Sequence, residues 1–378
     1  NSKHFTVGQG LKRTDGKNKE DASLLIGRDF LDTNKNKELQ QFFIKPHKQK
    51  WNESTVGYLP KKMDLFEAPC LFIKEGTNNE FKSVSAISYI DVVFTSSITA
   101  FKAKKKKDIS ILKSICGLFN SSLFAFYMVS TGSSVGIERE QTHDEEKFSC
   151  PYNSSPNLVK LVSEIENAVK QKHEAEDPKS DEYRNAEAEY NRLLKEIDEE
   201  IYSIYKINNQ EKALIDYAHE ISIPLIKRRD THRIFGSLHL QNEEHKKYLK
   251  QYADIFINHY NNIFNSDGLY FEVEVWHSQH IIGILFKVIH EPSQAKDQII
   301  WKQDTETRNL LKRFSAISIS QQSEELFIQK DIKGFEEEAF YVIKPNEYKN
   351  WHRALAHIDL SEFIDAIMKA ANEEEGQA

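Results

Sequence analysis

Residues 109–141 limit what this chain can fold into more than any other stretch of its sequence. The first half of the stretch carries large apolar residues at helical intervals, enough to cover more than one helix face, which predicts a largely buried helix. The tripeptide Asn-Ser-Ser at 120–122 interrupts that helix with side chains that compete for backbone hydrogen bonds. The second half is rich in Gly and Ser and then becomes polar. A packed helix that leads into a polar loop is therefore expected, directly after a strongly basic segment.

Length and composition narrow the class of protein. At 378 residues the chain exceeds one ordinary core, so two or three domains are expected. No apolar run reaches the roughly 18 residues that cross a bilayer, so no membrane partner is expected. The chain begins Asn1-Ser2 without a leader pattern, which indicates a piece cut from a longer protein. Three cysteines without CxxC spacing predict reduced, mostly buried thiols, and with them a cytoplasmic origin.

Charge is unevenly distributed along the chain. Residues 1–110 contain 20 Lys and Arg against 13 Asp and Glu, a net charge of +7. The remaining residues contain 31 against 45, a net charge of −14. A basic first third on an acidic body is expected if one part alone meets a polyanion. Ordinary solubilising lysines would produce the same asymmetry, so the charge by itself does not decide.

The apolar pattern of the first 220 residues predicts the first two parts of an α+β fold. Residues 1–110 carry short apolar runs separated by Gly, Pro, Asn and Lys, which is typical of a β-rich domain. Residues 111–220 continue as its helical part. Two apolar stripes over 156–206, separated by a polar break at 177–180, predict a long antiparallel helical hairpin. The strands expected in the first part lie at 24–26, 42–44, 71–73, 86–89 and 92–94.

The composition changes again near residue 221, which predicts a third part, an α+β domain over 221–378. A long amphipathic helix ends at the tetrapeptide 265–268, whose residues tolerate left-handed backbone. Alternating residues then predict a strand, a short hairpin and a second strand. The strands expected in this part lie at 270–275, 280–289, 298–301, 325–328 and 340–343, and the last helices at 346–356 and 361–371.

Lysines concentrate in the connections of the β-rich domain. The run at 102–107 has five lysines in six positions, which repel one another and cannot be buried together, so it is expected at a solvated loop or strand end. Lysine contacts nucleic-acid phosphates without sequence preference. Trp51 follows Lys48 and Lys50 in the sequence, and it is expected to pack in the core rather than to stack on a base. The candidate phosphate contacts are Lys45, Lys48, Lys50, Lys61, Lys62, Lys102, Lys104, Lys105, Lys106 and Lys107.

The sequence contains no self-sufficient catalytic site. It has no Walker A motif, no GxSxG, no HExxH and no paired-Asp nuclease motif, so no catalytic residue is expected. His277 and His280 form an HxxH pair without a third ligand at convincing spacing, so no metal is expected. Gly8 and Gly10 form a lone GxG without a preceding predicted strand, which is weak as a nucleotide motif.

Four stretches occur in a characteristic order along the chain. They are LFEAPCLFIK at 65–74, ICGLFNSSL at 115–123, the polar 136–141 leading to Cys-Pro-Tyr at 150–152, and IDEEIYSIY at 197–205 with Glu211 and Ile215 after it. In this order they resemble the C-terminal specificity regions of N6-adenine DNA methyltransferases from restriction–modification systems, of the TaqI-like and fused type I or type IIG classes. The resemblance covers about residues 20–220. The [N/D]PP[Y/F] motif and the Gly-rich cofactor loop of that family do not occur in this sequence.

The resemblance implies a target-recognition fragment that lacks its catalytic half. No cofactor would bind in these residues, and S-adenosylmethionine would belong to the missing methyltransferase domain, itself a partner. Double-stranded DNA would be held by the lysines, and the helical hairpin would set the spacing to partner domains. Arg and Gln side chains can make bidentate contacts to bases. The residues expected to reach base edges are Ser133, Ser134, Arg139 and Gln141.

Two other functions stay open from the sequence. One is a protein-interaction scaffold, in which the acidic hairpin and the C-terminal domain dock a restriction or defence subunit. The other is an independent enzyme, such as a nuclease, whose site is assembled from dispersed acids.

Overall fold

The computed structural model describes residues 4–13, 16–17, 19–31, 38–45, 49–132, 150–175, 177–264, 268–302, 331–336 and 338–375. The chain divides into two compact units, Asn1–His219 (unit 1) and Glu220–Ala378 (unit 2). Both units combine helices with largely antiparallel sheets, which confirms the predicted α+β class.

Unit 1 consists of short strands followed by helices. Its strands are β1 (Phe5–Gln9), β2 (Glu20–Asp21), β3 (Phe30–Leu31), β4 (Leu39–Gln40), β5 (Phe43–Ile44), β6 (Thr55–Val56), β7 (Cys70–Thr77), β8 (Ser83–Ser88), β9 (Val93–Phe94) and β10 (Ile98–Ala103). Its helices are α1 (Ile109–Asn120), α2 (Ser122–Thr131), α3 (Pro156–Glu174), α4 (Asp181–Tyr205) and α5 (Asn209–Tyr217). Short 3₁₀ turns occur at Ser23–Leu25, Met63–Phe66 and Lys106–Asp108, and a π-helical turn, Ala218–Ser222, crosses the unit boundary.

The centre of unit 1 is a four-stranded antiparallel sheet in the order β1-β10-β7-β8. Side chains alternate between its two faces. Along β7, Leu71 and Ile73 pack in a core with the helices, whereas Cys70 and Phe72 pack in a second core with the small strands and loops. Because both faces of this sheet are buried, its strands hold the loops and helices that continue from them in fixed positions. The helix-side core draws on residues from before and after position 110, so the two parts form one unit.

The Asn-Ser-Ser tripeptide joins the helices to the sheet. Asn120 is 1% exposed, accepts a hydrogen bond from the Ser85 backbone N–H (3.1 Å) and donates one to the Ser85 carbonyl (2.9 Å). Ser121 caps α2, and Ser122 bonds through its N–H (2.8 Å) and hydroxyl (2.7 Å) to the carboxylate of Asp198. At the predicted interruption α1 therefore ends and α2 begins, and the chain bends by 61° between the two helices.

The two long helices predicted over 156–206 are present as α3 and α4. Ser155, the residue that caps α3, donates to Glu200 near the end of α4, and Lys172 near the end of α3 pairs with Glu187 (2.9 Å) in the first half of α4. These contacts make the pair antiparallel. The apolar stripe buries Leu158, Val162 and Ile165 from α3 and Leu193, Ile197 and Ile201 from α4.

Two predictions for the first part differ from the structure. Residues 24–26 were expected in a strand but belong to a 3₁₀ turn and its end, with Leu24 and Ile26 half-exposed. The Asp21 carboxylate accepts the N–H (2.9 Å) and hydroxyl (2.6 Å) of Ser23 and so turns the chain there. Strands β1 and β10, which form half of the central sheet, were not predicted, and neither were the two-residue strands β2, β3, β4 and β6.

Unit 2 combines five strands with four helices among the described residues. The strands are β11 (Tyr270–His277), β12 (Ile281–Ile289), β13 (Ile299–Lys302), β14 (Ile332–Glu336) and β15 (Ala339–Pro345). The helices are α6 (Ile223–Ile226), α7 (Thr231–Ile234), α8 (Glu243–Phe264) and α9 (Arg353–Glu375), with 3₁₀ turns at Lys296–Gln298 and Tyr348–Trp351.

The five strands form one sheet in the order β13-β11-β12-β15-β14, with one parallel pair, β11 and β13. Helices α8 and α9 pack against each other, and both contribute to the core of this unit, in which Phe256, Phe271, Phe286, Phe340 and Phe363 meet.

The end of the chain also differs from its prediction. Residues 346–371 were expected to form two helices, but a 3₁₀ turn is followed by one helix, α9, which continues without a break. Asp359, in the expected gap, is buried and bonded to Lys344 and Tyr252, so a break there would expose the ion pair. Strand β14 was not predicted, and the strand expected at 325–328 lies outside the described residues.

In the part of the chain that the structure describes, no single helix is long and apolar enough to cross a bilayer. The bent pair formed by Lys106–Asn120 and Ser122–Thr131 reaches that length and composition only when its two members are taken together.

Candidate nucleic-acid interface

The lysine run lies where the chain leaves the central sheet. Strand β10 ends at Ala103, and the exposed residues Lys104, Lys105, Lys106 and Lys107 lead into α1. Among the described residues, no carboxylate lies within 4 Å of the amino group of Lys105, Lys106 or Lys107. The backbone N–H of Lys104 donates to His4 (3.0 Å), which ties the start of the run to the start of β1.

The pair Lys61 and Lys62 is exposed on the connection that leads to β7. This connection is attached to the lysine run by two hydrogen bonds: Lys102 Nζ donates to the Ala68 carbonyl, and the Ala103 N–H donates to the Pro69 carbonyl (3.3 Å). Lys102 itself is half-buried and holds the connection in place. The fold therefore links the lysines at 61–62 to those at 104–107, and Lys102 makes the link.

Lys45 and Lys50 lie in other surroundings. Lys50 forms an ion pair with Asp29 (2.6 Å), and the bridge between their backbones is part of the small strands. Lys45 borders a groove of about 630 Å³ next to α3. Of the other candidates, Lys48, Ser133, Ser134, Arg139 and Gln141 lie outside the described residues.

A cluster of polar side chains forms part of the groove beside Lys45. Glu166 accepts hydrogen bonds from Tyr89 at both oxygens (3.1 and 3.0 Å), and Lys113 Nζ lies 3.1 Å from Glu166 and 2.7 Å from the hydroxyl of Ser163. Burial raises the pKa of Glu166, and Lys113 opposes that shift. Burial and the neighbouring Glu166 raise the pKa of Tyr89. This cluster joins β8 to α3, so it orients the groove.

Sequence reasoning missed a second basic groove. Four of the eight residues at 12–19 are basic, and this density was the available signal. In the structure Lys12, Lys17 and Lys19 are exposed and line an open groove of about 850 Å³. Gln9, Tyr58 and Glu20, whose carboxylate accepts the Leu59 N–H (2.9 Å), also line it. Gln9 is the last residue of β1, whereas the run at 104–107 follows the partner of Phe5, the first residue of β1. Basic side chains therefore occur at both ends of one strand.

The remaining sequence motifs have structural roles. Trp51 is 2% exposed and donates to the Glu53 carbonyl (2.7 Å), which confirms its prediction as a core residue. The GxG motif is a packing feature, because a Cβ on Gly8 would lie 2.7 Å from Leu65 and one on Gly10 would lie 2.3 Å from the Phe94 carbonyl.

The cysteines and histidines also act within the fold. Cys70 and Cys116 are buried free thiols as predicted, Cys150 is partly buried, and burial raises the pKa of Cys70 to about 12. His277 Nε2 lies 2.7 Å from the Leu238 carbonyl. Over the described ranges, no group of three His, Cys, Asp or Glu side chains is placed to hold a metal ion.

No protein-family model and no curated protein matches this sequence. Among solved structures, the chain is similar to the Type IIL restriction-modification enzyme MmeI in complex with DNA, with 13% sequence identity and a TM-score of 0.36. The match covers 59% of this chain and 36% of the length of that enzyme.

Proposed function

We propose that unit 1 binds double-stranded DNA and that this chain is the recognition fragment of an adenine-specific DNA methyltransferase from a restriction–modification system. Exposed lysines at both ends of β1 are the observation that carries the proposal. The four residue steps of β1 span about 13 Å, a length that corresponds to about four base pairs of duplex. The two lysine groups could therefore contact phosphates several steps apart on one duplex.

The order of the four sequence stretches supports the narrower part of the proposal, the link to adenine methyltransferases. Residues of the 115–123 stretch connect α1, α2 and the central sheet, so this stretch builds the scaffold that carries the lysine run. In this proposal S-adenosylmethionine and methyl transfer belong to a separate catalytic domain. Base reading is assigned to Ser133, Ser134, Arg139 and Gln141, because each can form hydrogen bonds with base edges.

The test replaces Lys104, Lys105, Lys106 and Lys107 together by Ala and measures duplex binding by fluorescence anisotropy over a range of salt concentrations. Each phosphate contact contributes about 0.9 to the slope of log K against log salt. Loss of four contacts would lower the magnitude of that slope by about 3 to 4 and weaken binding at every salt concentration.

A matched control carries the same change in charge on other surfaces. Lys160, Lys179, Lys195 and Lys369 are exposed, and they lie on the helical hairpin and on α9. Their replacement by Ala would leave the salt slope close to that of the unaltered chain. An equal loss of affinity in both variants would reject a specific contact at 104–107, and an unchanged slope in the first variant would remove the run from the interface.

A further inference from the structure

A polar cleft of about 640 Å³ in unit 1 is separate from the lysine run and from the basic groove at 12–19. Strand β4 contributes Gln40 and its neighbour Gln41, and the end of β7 contributes Lys74 and Thr77. The far end of the helical hairpin closes the cleft, where His173 of α3 and Tyr190 of α4 both line it. The cleft therefore joins the sheet to the two long helices.

One hydroxyl in the cleft is buried without a hydrogen bond. Among the described residues, Thr77 Oγ1 has no partner, and the same is true of Ser83 Oγ on the neighbouring strand. Thr77 and Ser83 face each other across β7 and β8, but only Thr77 lines the cleft. A buried hydroxyl without a partner is unfavourable, so an acceptor supplied by a ligand in the cleft would improve its energy.

One cation in the cleft also lacks a counter-ion. Across the described ranges, no carboxylate lies within 4 Å of Lys74 Nζ. The other lysine, Lys172, is already committed: it pairs with Glu187 (2.9 Å) and lies 5.6 Å from the centroid of the Tyr190 ring. A hydroxyl donor and an uncompensated ammonium group in one cleft form a site for an anion with several acceptor oxygens, such as phosphate. Glu80, which could oppose an anion, lies 3.8 Å from Lys82.

The rest of the lining is suited to a flat, polar ring. His173 stacks on Phe43 with centroids 4.4 Å apart and contacts Gln40 (2.9 Å). Burial lowers the pKa of His173, with smaller contributions from nearby lysines, so its ring is neutral at pH 7. The Gln41 amide nitrogen donates to the Ser83 carbonyl (3.2 Å), and Gln41 lines the cleft, so its side-chain carbonyl oxygen is an acceptor for a bound ligand. Tyr190 adds an aromatic surface.

We propose that this cleft binds a nucleotide, with its phosphate held by Lys74 and Thr77 and its base placed between Gln41 and Tyr190. The same chemistry is presented by a free nucleotide and by one nucleotide of a single strand. The inference goes beyond duplex binding and does not depend on it, because the cleft uses none of the lysines at 104–107.

The test measures binding to the full chain of two probes, deoxyadenosine monophosphate by calorimetry and a labelled single-stranded tetranucleotide by anisotropy. Lys74→Ala removes the cation and should weaken binding by on the order of tenfold, the effect of one charge-assisted hydrogen bond. Thr77→Val removes only the hydroxyl and should weaken binding by about threefold to tenfold. Because that hydroxyl has no partner inside the protein, Thr77→Val should not lower the urea midpoint of unit 1.

Ser83→Ala is the matched control, since the Ser83 hydroxyl is also buried without a hydrogen bond among the described residues, and Ser83 does not line the cleft. It should leave the affinity for both probes unchanged. Weaker binding of either probe by the Lys74 and Thr77 variants alone supports the site, and the probe that binds identifies the source of the nucleotide. No binding of either probe, or equal binding by all variants, overturns the proposal. The variant with Ala at 104–107 should still bind both probes, so failure of duplex binding is distinguishable from failure of this site.

Discussion

Replacement of Asn120 by Ala tests how the helices of unit 1 are joined to its sheet. Asn120 is 1% exposed and bonds to both backbone groups of Ser85, a residue that is fully buried in the edge strand β8. An edge strand has backbone groups that no further strand pairs with, and here the Asn120 side chain bonds to both groups of Ser85. We expect the substitution to destabilise unit 1 and, with it, the attachment of the lysine run.

The magnitude follows from what each group of Ser85 retains. The Ser85 carbonyl also accepts from the Phe42 N–H (2.8 Å), so it keeps a partner in the variant. Loss of its hydrogen bond to Asn120 then lowers the free energy of unfolding by about 1 kcal/mol. Among the described residues, the Ser85 N–H bonds to Asn120 and to no other group, so it would be left buried without a partner at a cost of about 1–3 kcal/mol. The sum is a loss of about 2–4 kcal/mol in the free energy of unfolding of unit 1.

Hydrogen–deuterium exchange with mass spectrometry on the full chain measures this loss, because peptides that cover β8 and α1 report on unit 1 separately from unit 2. Asn157→Ala is the control: Asn157 is exposed and bonds to Glu200 (2.7 Å) at the surface, so we expect a change within about 0.5 kcal/mol. A loss for Asn120→Ala no larger than that of the control would refute the reasoning.

Two further predictions concern unit 2. Burial lowers the pKa of His352 to about 4, and its neutral Nδ1 accepts the Ala354 N–H (3.1 Å) at the start of α9. Below the ordinary pKa of 6.5 the unfolded chain binds a proton at His352 before the folded chain does. The free energy of unfolding of unit 2 should therefore fall by roughly 3 kcal/mol as the pH falls from about 6.5 to 4. His352→Asn keeps an acceptor that does not titrate, so in urea titrations this variant should lose most of that pH dependence. Asp359 is buried and bonded to Lys344, whose pKa is lowered by burial, so Asp359→Ala should destabilise unit 2 by about 3–5 kcal/mol in the same titrations.

Each of these predictions has a control in the same unit. His290→Gln alters a histidine that is 70% exposed and should change the stability of unit 2 by less than about 0.5 kcal/mol. Asp365→Ala alters an exposed carboxylate on the same helix as Asp359 and should change stability by less than about 0.5 kcal/mol. If His352→Asn loses as much stability at low pH as the unaltered chain, groups other than His352 cause that loss. If Asp359→Ala is as stable as Asp365→Ala, the buried ion pair does not contribute to the stability of unit 2.

The sequence by itself determined the long helices, because their stability depends on an apolar stripe that a local pattern displays. Helices α3, α4 and α8 follow the predicted stripes, and the break between α1 and α2 occurs at the predicted tripeptide. Strands β11, β12 and β15 overlap the predicted ones. The burial of Trp51 also followed from residue type.

Tertiary structure alone decided the features that depend on partners distant in the chain. Strand β1 pairs with β10, about 95 residues away, and neither has a local pattern that specifies that partner. Lys102 and Lys104 are two positions apart in sequence, yet Lys102 bonds to the connection before β7 while Lys104 is exposed. The polar cleft joins residues of β7 and α3 that are about 100 positions apart. A sequence pattern records which side chains prefer burial, whereas the partner that buries each one is set by the packing of the whole unit.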